Sequence, residues 1–111
     1  MGLAEKSMEL TEDIHEYLKD ISTLKDFSTL SFLIIKGNML VSRIKLLMED
    51  LDAAADDKEI MLTALQIKKA LEIELTGLKD VISSLKTADQ MTILSKQALL
   101  ETQIREIKGK I

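Results

Sequence analysis

The sequence has no cysteine, no proline and no tryptophan, and it contains only four glycines. Without cysteine the chain has no disulfide, no thiolate nucleophile and no thiolate-ligated zinc or iron–sulfur site. Tight turns favour glycine and proline, which are scarce or absent here. Aromatic residues, which favour β-strands, make up only 3% of this sequence. These absences predict an all-α protein.

Apolar residues are abundant, and the net charge is small. Of the 111 residues, 46% are hydrophobic and 31% are charged, with a formal net charge of -4. A chain of this length can bury one hydrophobic core, and its composition differs from that of disordered proteins. We therefore expect a single helical-bundle domain over residues 1–111.

Membranes and nucleic acids are not expected partners. The most apolar window, Leu30 to Val41, contains several polar residues and is shorter than the roughly 20 residues that a bilayer span requires. The first residues lack the basic region and apolar run of a signal peptide, so we expect a cytoplasmic protein. Lys68-Lys69 is the one pair of adjacent cations, and no aromatic residues alternate with the cations to stack on bases.

The first helix is predicted over residues 4–25. Apolar residues recur there every three or four positions, as in a helix that packs along a seam. These are Leu10, Ile14, Tyr17, Ile21 and Leu24, with Leu3 one heptad before Leu10. The segment from Lys25 to Thr29 is rich in side chains that favour caps and turns, and it predicts the first turn.

The second helix is predicted over residues 29–54, with Gly37 inside it. Apolar or small residues occupy positions 30, 33, 34, 37, 41, 44, 48 and 51, and their phase runs through Gly37 without a slip. A chain that turned at Gly37 would have no reason to keep that phase. A reverse turn at Gly37-Asn38 is the alternative.

Helix-capping signals divide the second half of the chain into two further helices, predicted over 57–86 and 88–109. Asp56 is followed by Glu59, and Thr87 is followed by Gln90; both pairs have the spacing of a capping box. Each segment carries an apolar seam with helical spacing. Four helices of comparable length with short connections predict a four-helix, up-and-down antiparallel bundle.

Two of the predicted helices carry apolar residues outside their seams. In the second helix, Phe32, Ile35, Met39 and Leu46 group about 150° from the seam on a helical wheel of about 100° per residue. In the third helix, Leu62, Leu65 and Ile73 lie roughly opposite the seam. A helix that is apolar on two faces must bury both, so these seven residues predict a second contact surface.

Three arrangements would cover this surface. Self-association is the first, because two-fold symmetric oligomers are the commonest closed assemblies. Irregular internal packing, in which another helix crosses obliquely over the second and third helices, is the second. A groove for the amphipathic helix of another protein is the third.

Glu12 and His15 have the spacing of a metal-binding motif. Their Glu-x-x-His spacing is that of four-helix dimetal carboxylate proteins, which need the motif twice together with two further inward glutamates. His15 is the only histidine here, and both side chains lie far from the Leu10 seam position. We expect His15 to be a surface residue and the protein to bind no metal or other cofactor.

Two acidic pairs suggest an alternative function. Glu9-x-x-Glu12 and Glu49-x-x-Asp52 resemble the Glu-x-x-Glu and Glu-x-x-Asp pairs with which small all-α nucleotide pyrophosphohydrolases bind magnesium. The resemblance is limited to these four residues, most of which point away from the seams. It implies a metal-dependent nucleotide hydrolase whose carboxylate site would be assembled across an oligomer.

Polar residues also occur in the seams, at Glu74 and Gln97. We expect both to lie at the edge of the core and to reach water. The alternative is that they are buried and fix the register of the helices, because mispairing would leave them without partners.

The sequence shows no catalytic constellation, since neither a nucleophile elbow nor a phosphate-binding glycine loop is present. The predicted function is therefore non-enzymatic. We expect a homo-oligomer, with a dimer favoured, or an adaptor that binds another helical protein. The metal-dependent hydrolase is the alternative function.

Overall fold

The described part of the chain folds into four α-helices. A computed structural model describes residues 2–23, 30–54, 58–87 and 89–110, and it describes the side chains of all of these except 54, 58–63 and 110. The helices are α1 (Leu3–Ser22), α2 (Leu30–Ala54), α3 (Lys58–Thr87) and α4 (Gln90–Lys110). Each bound lies within three residues of the predicted one, and no strand occurs in these ranges. The all-α four-helix prediction is confirmed.

Each helix packs beside its neighbours in the chain, and α1 also packs against α4, which closes the bundle. Ion pairs show the directions of the helices: Asp13 of α1 pairs with Arg43 of α2, whereas Asp20, further along α1, pairs with Lys36, which precedes Arg43. These pairs show that α1 and α2 run antiparallel. The pair of Asp52 with Lys68 and the approach of Gly37 to Ile82 show the same for α2 and α3, in a body of 48 × 24 × 20 Å.

The core consists of the apolar seams that the periodicity predicts. Leu10, Ile14, Tyr17 and Ile21 are buried in α1, and the seams of the other three helices surround them. The buried residues of each seam recur every three or four positions. This spacing places them on one side of their helix. Among the described residues, no helix is long and apolar enough to cross a membrane.

Gly37 lies within α2, so the alternative of a reverse turn at Gly37-Asn38 is wrong. A Cβ on Gly37 would stand 2.6 Å from the hydroxyl of Tyr17 and 2.8 Å from Cγ1 of Ile82. Glycine therefore allows α2 to approach both α1 and α3 at this level. The Tyr17 hydroxyl donates a hydrogen bond to the carbonyl of Leu33 at 2.8 Å, and burial raises the pKa of this phenol.

The start of α4 differs from the prediction. Thr87 is the last residue of α3, and its hydroxyl donates to the carbonyl of Ser84 at 2.7 Å. Asp89 caps α4 instead: its carboxylate accepts the backbone N–H of Met91 at 3.1 Å and the Thr92 hydroxyl at 3.0 Å. The predicted Thr87 capping box is therefore wrong, and an Asp cap one residue before Gln90 replaces it. The predicted turn at 25–29 and the Asp56 cap lie outside the described residues.

Candidate association surface

The outer face of α2 presents a row of large apolar side chains to solvent. Phe32, Ile35, Met39 and Leu46 are 66%, 60%, 63% and 60% exposed. We call these four residues the α2 row. They are exposed because the opposite side of α2, centred on Gly37, packs against α1 and α3. The alternative that irregular internal packing covers these four residues is wrong.

Ion pairs border the α2 row on both sides. On the α1 side, Arg43 contacts Asp13 at 2.8 Å and Lys36 contacts Asp20 at 3.4 Å. On the α3 side, Asp52 contacts Lys68 at 2.9 Å and raises the pKa of that lysine. These polar contacts join the flanks of α2 to its neighbours, so the apolar residues between them remain accessible.

The predicted surface residues of α3 are distributed differently. Leu65 is 50% exposed and Ile73 is 42% exposed, and the side chain of Leu62 lies outside the described residues. Ile73 and Leu99 line a groove of about 470 Å³ between α3 and α4. Leu65 and Ile73 are eight positions apart, which corresponds to about 80° around a helix. The structure therefore does not bring both Leu65 and Ile73 into one row with the α2 residues.

Sequence reasoning did not single out several exposed apolar residues of α4. Met91, Leu94 and Leu99 are exposed, while the seam residues Ile93 and Leu100 are buried. The wheel test that isolates the α2 row would also have separated these three from their seam. Their spacing along the chain is less regular than that of the α2 row. The periodic pattern that would reveal them in the sequence is therefore weaker.

A carboxyl group is buried in the core at Glu74, contrary to the expectation that it reaches water. The residue is 0% exposed, and one oxygen, Oε1, accepts a hydrogen bond of 2.6 Å from the hydroxyl of Thr11. The other oxygen, Oε2, is buried without a hydrogen-bond partner. Burial raises the pKa of Glu74 to about 7, because desolvation disfavours the charged form more than the Thr11 hydrogen bond favours it.

Gln97 is also buried rather than at the edge of the core. Its side-chain amide donates to Glu101, one turn later in α4, at 2.7 Å. Thr11 lines a cavity of about 130 Å³ between α1 and α4, together with Ser7 and Ile107. Glu74 and Gln97 are thus both buried, at separate places in the core, and the alternative of buried polar residues describes them better.

The residues considered for metal binding do not converge. Glu12 contacts Lys108 of α4 at 2.7 Å, and this lysine lowers the pKa of the Glu12 carboxyl. Asp52, from the second acidic pair, contacts α3 on another side of the bundle. His15 is half-buried rather than a surface residue, and its Nδ1 is buried without a hydrogen-bond partner. Within the described part of the chain, no three His, Asp or Glu residues are grouped to hold a metal ion.

Comparisons with protein families, with curated proteins and with solved structures find no match to this chain. Of the predicted surface residues whose side chains are described, the four with the largest exposed fractions all belong to the α2 row.

Proposed function

We propose that this protein functions by self-association, with the α2 row as its contact surface. The observation that carries the proposal is that all four side chains of the row are at least 60% exposed on one helix. Each would contribute about 1.5–3 kcal/mol when fully buried, and the net stability of a small domain is only about 5–15 kcal/mol. Covering the row therefore offers a large gain relative to the stability of the fold.

The spacing of the α2 row supports a helix as the covering element. The steps from Phe32 to Ile35, Met39 and Leu46 are 3, 4 and 7 residues, which match the a and d positions of a heptad repeat. The row extends over 15 positions, whose 14 steps correspond to about 21 Å of helix. Such a row is suited to packing against another helix along its length.

A second copy of the chain supplies a helix with the same row. In a two-fold symmetric dimer one apolar patch covers its counterpart, so no other surface is needed. Contact between the two α2 helices would leave α1, α3 and α4 on the outside and would preserve the bundle of each subunit. The proposed product is a dimer joined through α2.

The proposal is tested by introducing charge into the row. Ile35→Glu combined with Met39→Glu should convert a dimer to a monomer, because the interface would have to bury carboxylates without partners. Both residues are exposed in the single subunit, so helical circular dichroism should be retained. Molar mass by light scattering is the readout.

A matched control places the same substitutions on α4. Met91 and Leu99 are also exposed, and Met91→Glu with Leu99→Glu adds the same charge away from the row. This variant should remain a dimer. A parent chain that is monomeric, or a control that dissociates as readily as the α2 variant, would contradict the proposal.

A further inference from the structure

Among the described residues, Glu74 is the one buried side chain that carries a carboxyl, amine, guanidinium or imidazole group. Thr11 of α1 donates to its Oε1, and its Oε2 has no hydrogen-bond partner. The described buried residues of α2 are apolar or glycine, and those of α4 include one polar residue, Gln97. His15, one turn beyond Thr11 on α1, is half-buried. Burial raises the pKa of Glu74 and the Thr11 hydrogen bond lowers it, and no charged group of another helix shifts it.

The α1 side of this carboxyl is incompletely packed. Thr11 also lines the cavity of about 130 Å³ between α1 and α4, with Ser7 and Ile107. Glu12 and Lys108 line the same cavity and pair with each other at 2.7 Å. Both are exposed, so this ion pair lies at the outer edge of the cavity. The path from solvent to Glu74 therefore passes an exposed ion pair, a small cavity and one hydroxyl group.

The two halves of α1 are held in the bundle by different interactions. Residues 3–12 bury Leu10 and two small polar residues, Ser7 and Thr11. The second half buries four large apolar side chains completely, namely Ile14, Tyr17, Leu18 and Ile21. Exposed ion pairs such as the one beside the cavity stabilise a fold little. A segment with little buried apolar surface is the kind that opens locally while the rest of a protein stays folded.

We propose that residues 3–12 of α1 form a lid over Glu74, which opens when this carboxyl loses its proton. Ionisation places a charge on a buried carboxylate whose Oε2 has no partner, and opening of the lid lets water solvate that charge. The Thr11 hydrogen bond opposes opening, but desolvation has the larger effect on the carboxyl. The lid does not involve the α2 row, so this inference is independent of the proposed function.

The size and direction of the effect follow from the two protonation equilibria. The pKa of Glu74 is about 7 when the lid is closed, and exposure to water returns it to the ordinary value of 4.5. The ratio of open to closed molecules should therefore be constant below pH 4.5, rise as the pH increases to about 7, and become level above that. The total increase is up to about 300-fold.

The absence of native cysteine allows the lid to be tested by thiol labelling. Ser7→Cys places a thiol under the lid, and Ser84→Cys places one in α3 as a matched control, because both serines are buried. The labelling rate with dithiodipyridine is compared, at each pH, with that of the same variant unfolded in urea. The ratio of the two rates measures the protection of each thiol.

The Ser7→Cys thiol should lose protection by up to about 300-fold between pH 4.5 and pH 7, and should keep it when combined with Glu74→Gln. Low concentrations of urea should change its labelling little, because local opening exposes little surface. The Ser84→Cys thiol should be better protected and more sensitive to urea. Equal protection and equal urea dependence at the two sites would show unfolding of the whole bundle and would overturn the lid. An unchanged pH profile in the Glu74→Gln background would show that this carboxyl does not control opening, and would also overturn it.

Amide hydrogen exchange provides the same comparison in the unsubstituted chain. After correction for the intrinsic exchange rates, the amides of residues 7–12 should lose protection relative to those of residues 14–21 as the pH rises from 4.5 to 7. An equal change in both halves of α1 would contradict the lid.

Discussion

The hydroxyl of Tyr17 occupies the space that a side chain on Gly37 would need. It lies 2.6 Å from the position of a Cβ on Gly37 and donates a hydrogen bond to the carbonyl of Leu33, one turn earlier in α2. The missing side chain therefore gives the phenol access to the α2 backbone. This contact holds the inner side of α2 against α1, so that the α2 row faces outward.

Substituting Gly37 by alanine should destabilise the bundle, although alanine is the better helix former. The added methyl group would overlap Tyr17 and Ile82, and overpacking of this kind costs about 1–3 kcal/mol. Urea denaturation of Gly37→Ala should show a lower free energy of unfolding than that of the parent. A variant more stable than the parent would show that the crossing has room for a Cβ.

Removing the Tyr17 hydroxyl should relieve part of that cost. Tyr17→Phe alone loses one hydrogen bond, worth about 0.5–1.5 kcal/mol. Combined with Gly37→Ala, it also removes the oxygen nearest to the new methyl group. A double-mutant cycle should therefore give a combined destabilisation smaller than the sum of the two single effects. Strictly additive effects would contradict the account of this contact.

Glu74 should make the stability of the bundle depend on pH. Its pKa is about 7 in the folded chain against an ordinary value of 4.5, so between these pH values the folded state holds a proton that the unfolded state has released. Stability should therefore fall as the pH rises from about 4.5 to about 7 and should become level above that. This one group should lower the free energy of unfolding by an amount on the order of 3 kcal/mol over that pH range.

Glu74→Gln isolates this effect, because the amide resembles the protonated carboxyl and does not titrate. The difference in unfolding free energy between variant and parent should grow in favour of the variant from pH 4.5 to pH 7. The other carboxylates are present in both proteins and cancel in the difference. Parallel stability profiles across this range would show that Glu74 is not buried as described.

The cap of α4 should reside in Asp89 rather than in Thr87. Asp89→Ala removes the acceptor of the Met91 N–H and the Thr92 hydroxyl, and the loss of an N-cap costs about 0.5–2 kcal/mol. Thr87→Ala removes only the hydrogen bond to the Ser84 carbonyl and should cost less. Thermal unfolding measures the stability of the two variants. A larger loss of stability for Thr87→Ala would support the capping box predicted from the sequence.

Periodicity predicts the seams and the exposed row because both follow from the phase of single helices. Gly37 could be placed inside α2 on the same basis, since its neighbours keep one phase. The burial of Glu74 could not be predicted in this way. Its hydrogen-bond donor, Thr11, lies 63 residues away in the sequence. Only the packing of the helices brings the two side chains into contact.

The grouping of Leu65 and Ile73 with the α2 row shows the same limit. A helical wheel places both roughly opposite their own seam, but it gives no information about which neighbouring helix each side faces. Ile73 lines the groove beside α4, a position that depends on the arrangement of α3 and α4. Properties of one helix were therefore predictable, whereas the relation between helices required the structure.

Self-association is tested by the molar mass of the unsubstituted chain in solution. One chain has a mass of 12.5 kDa, and association through the α2 row predicts about twice that value at micromolar to millimolar concentration. Sedimentation equilibrium over a dilution series should show this mass decreasing toward that of one chain. A mass of 12.5 kDa at every concentration would contradict self-association.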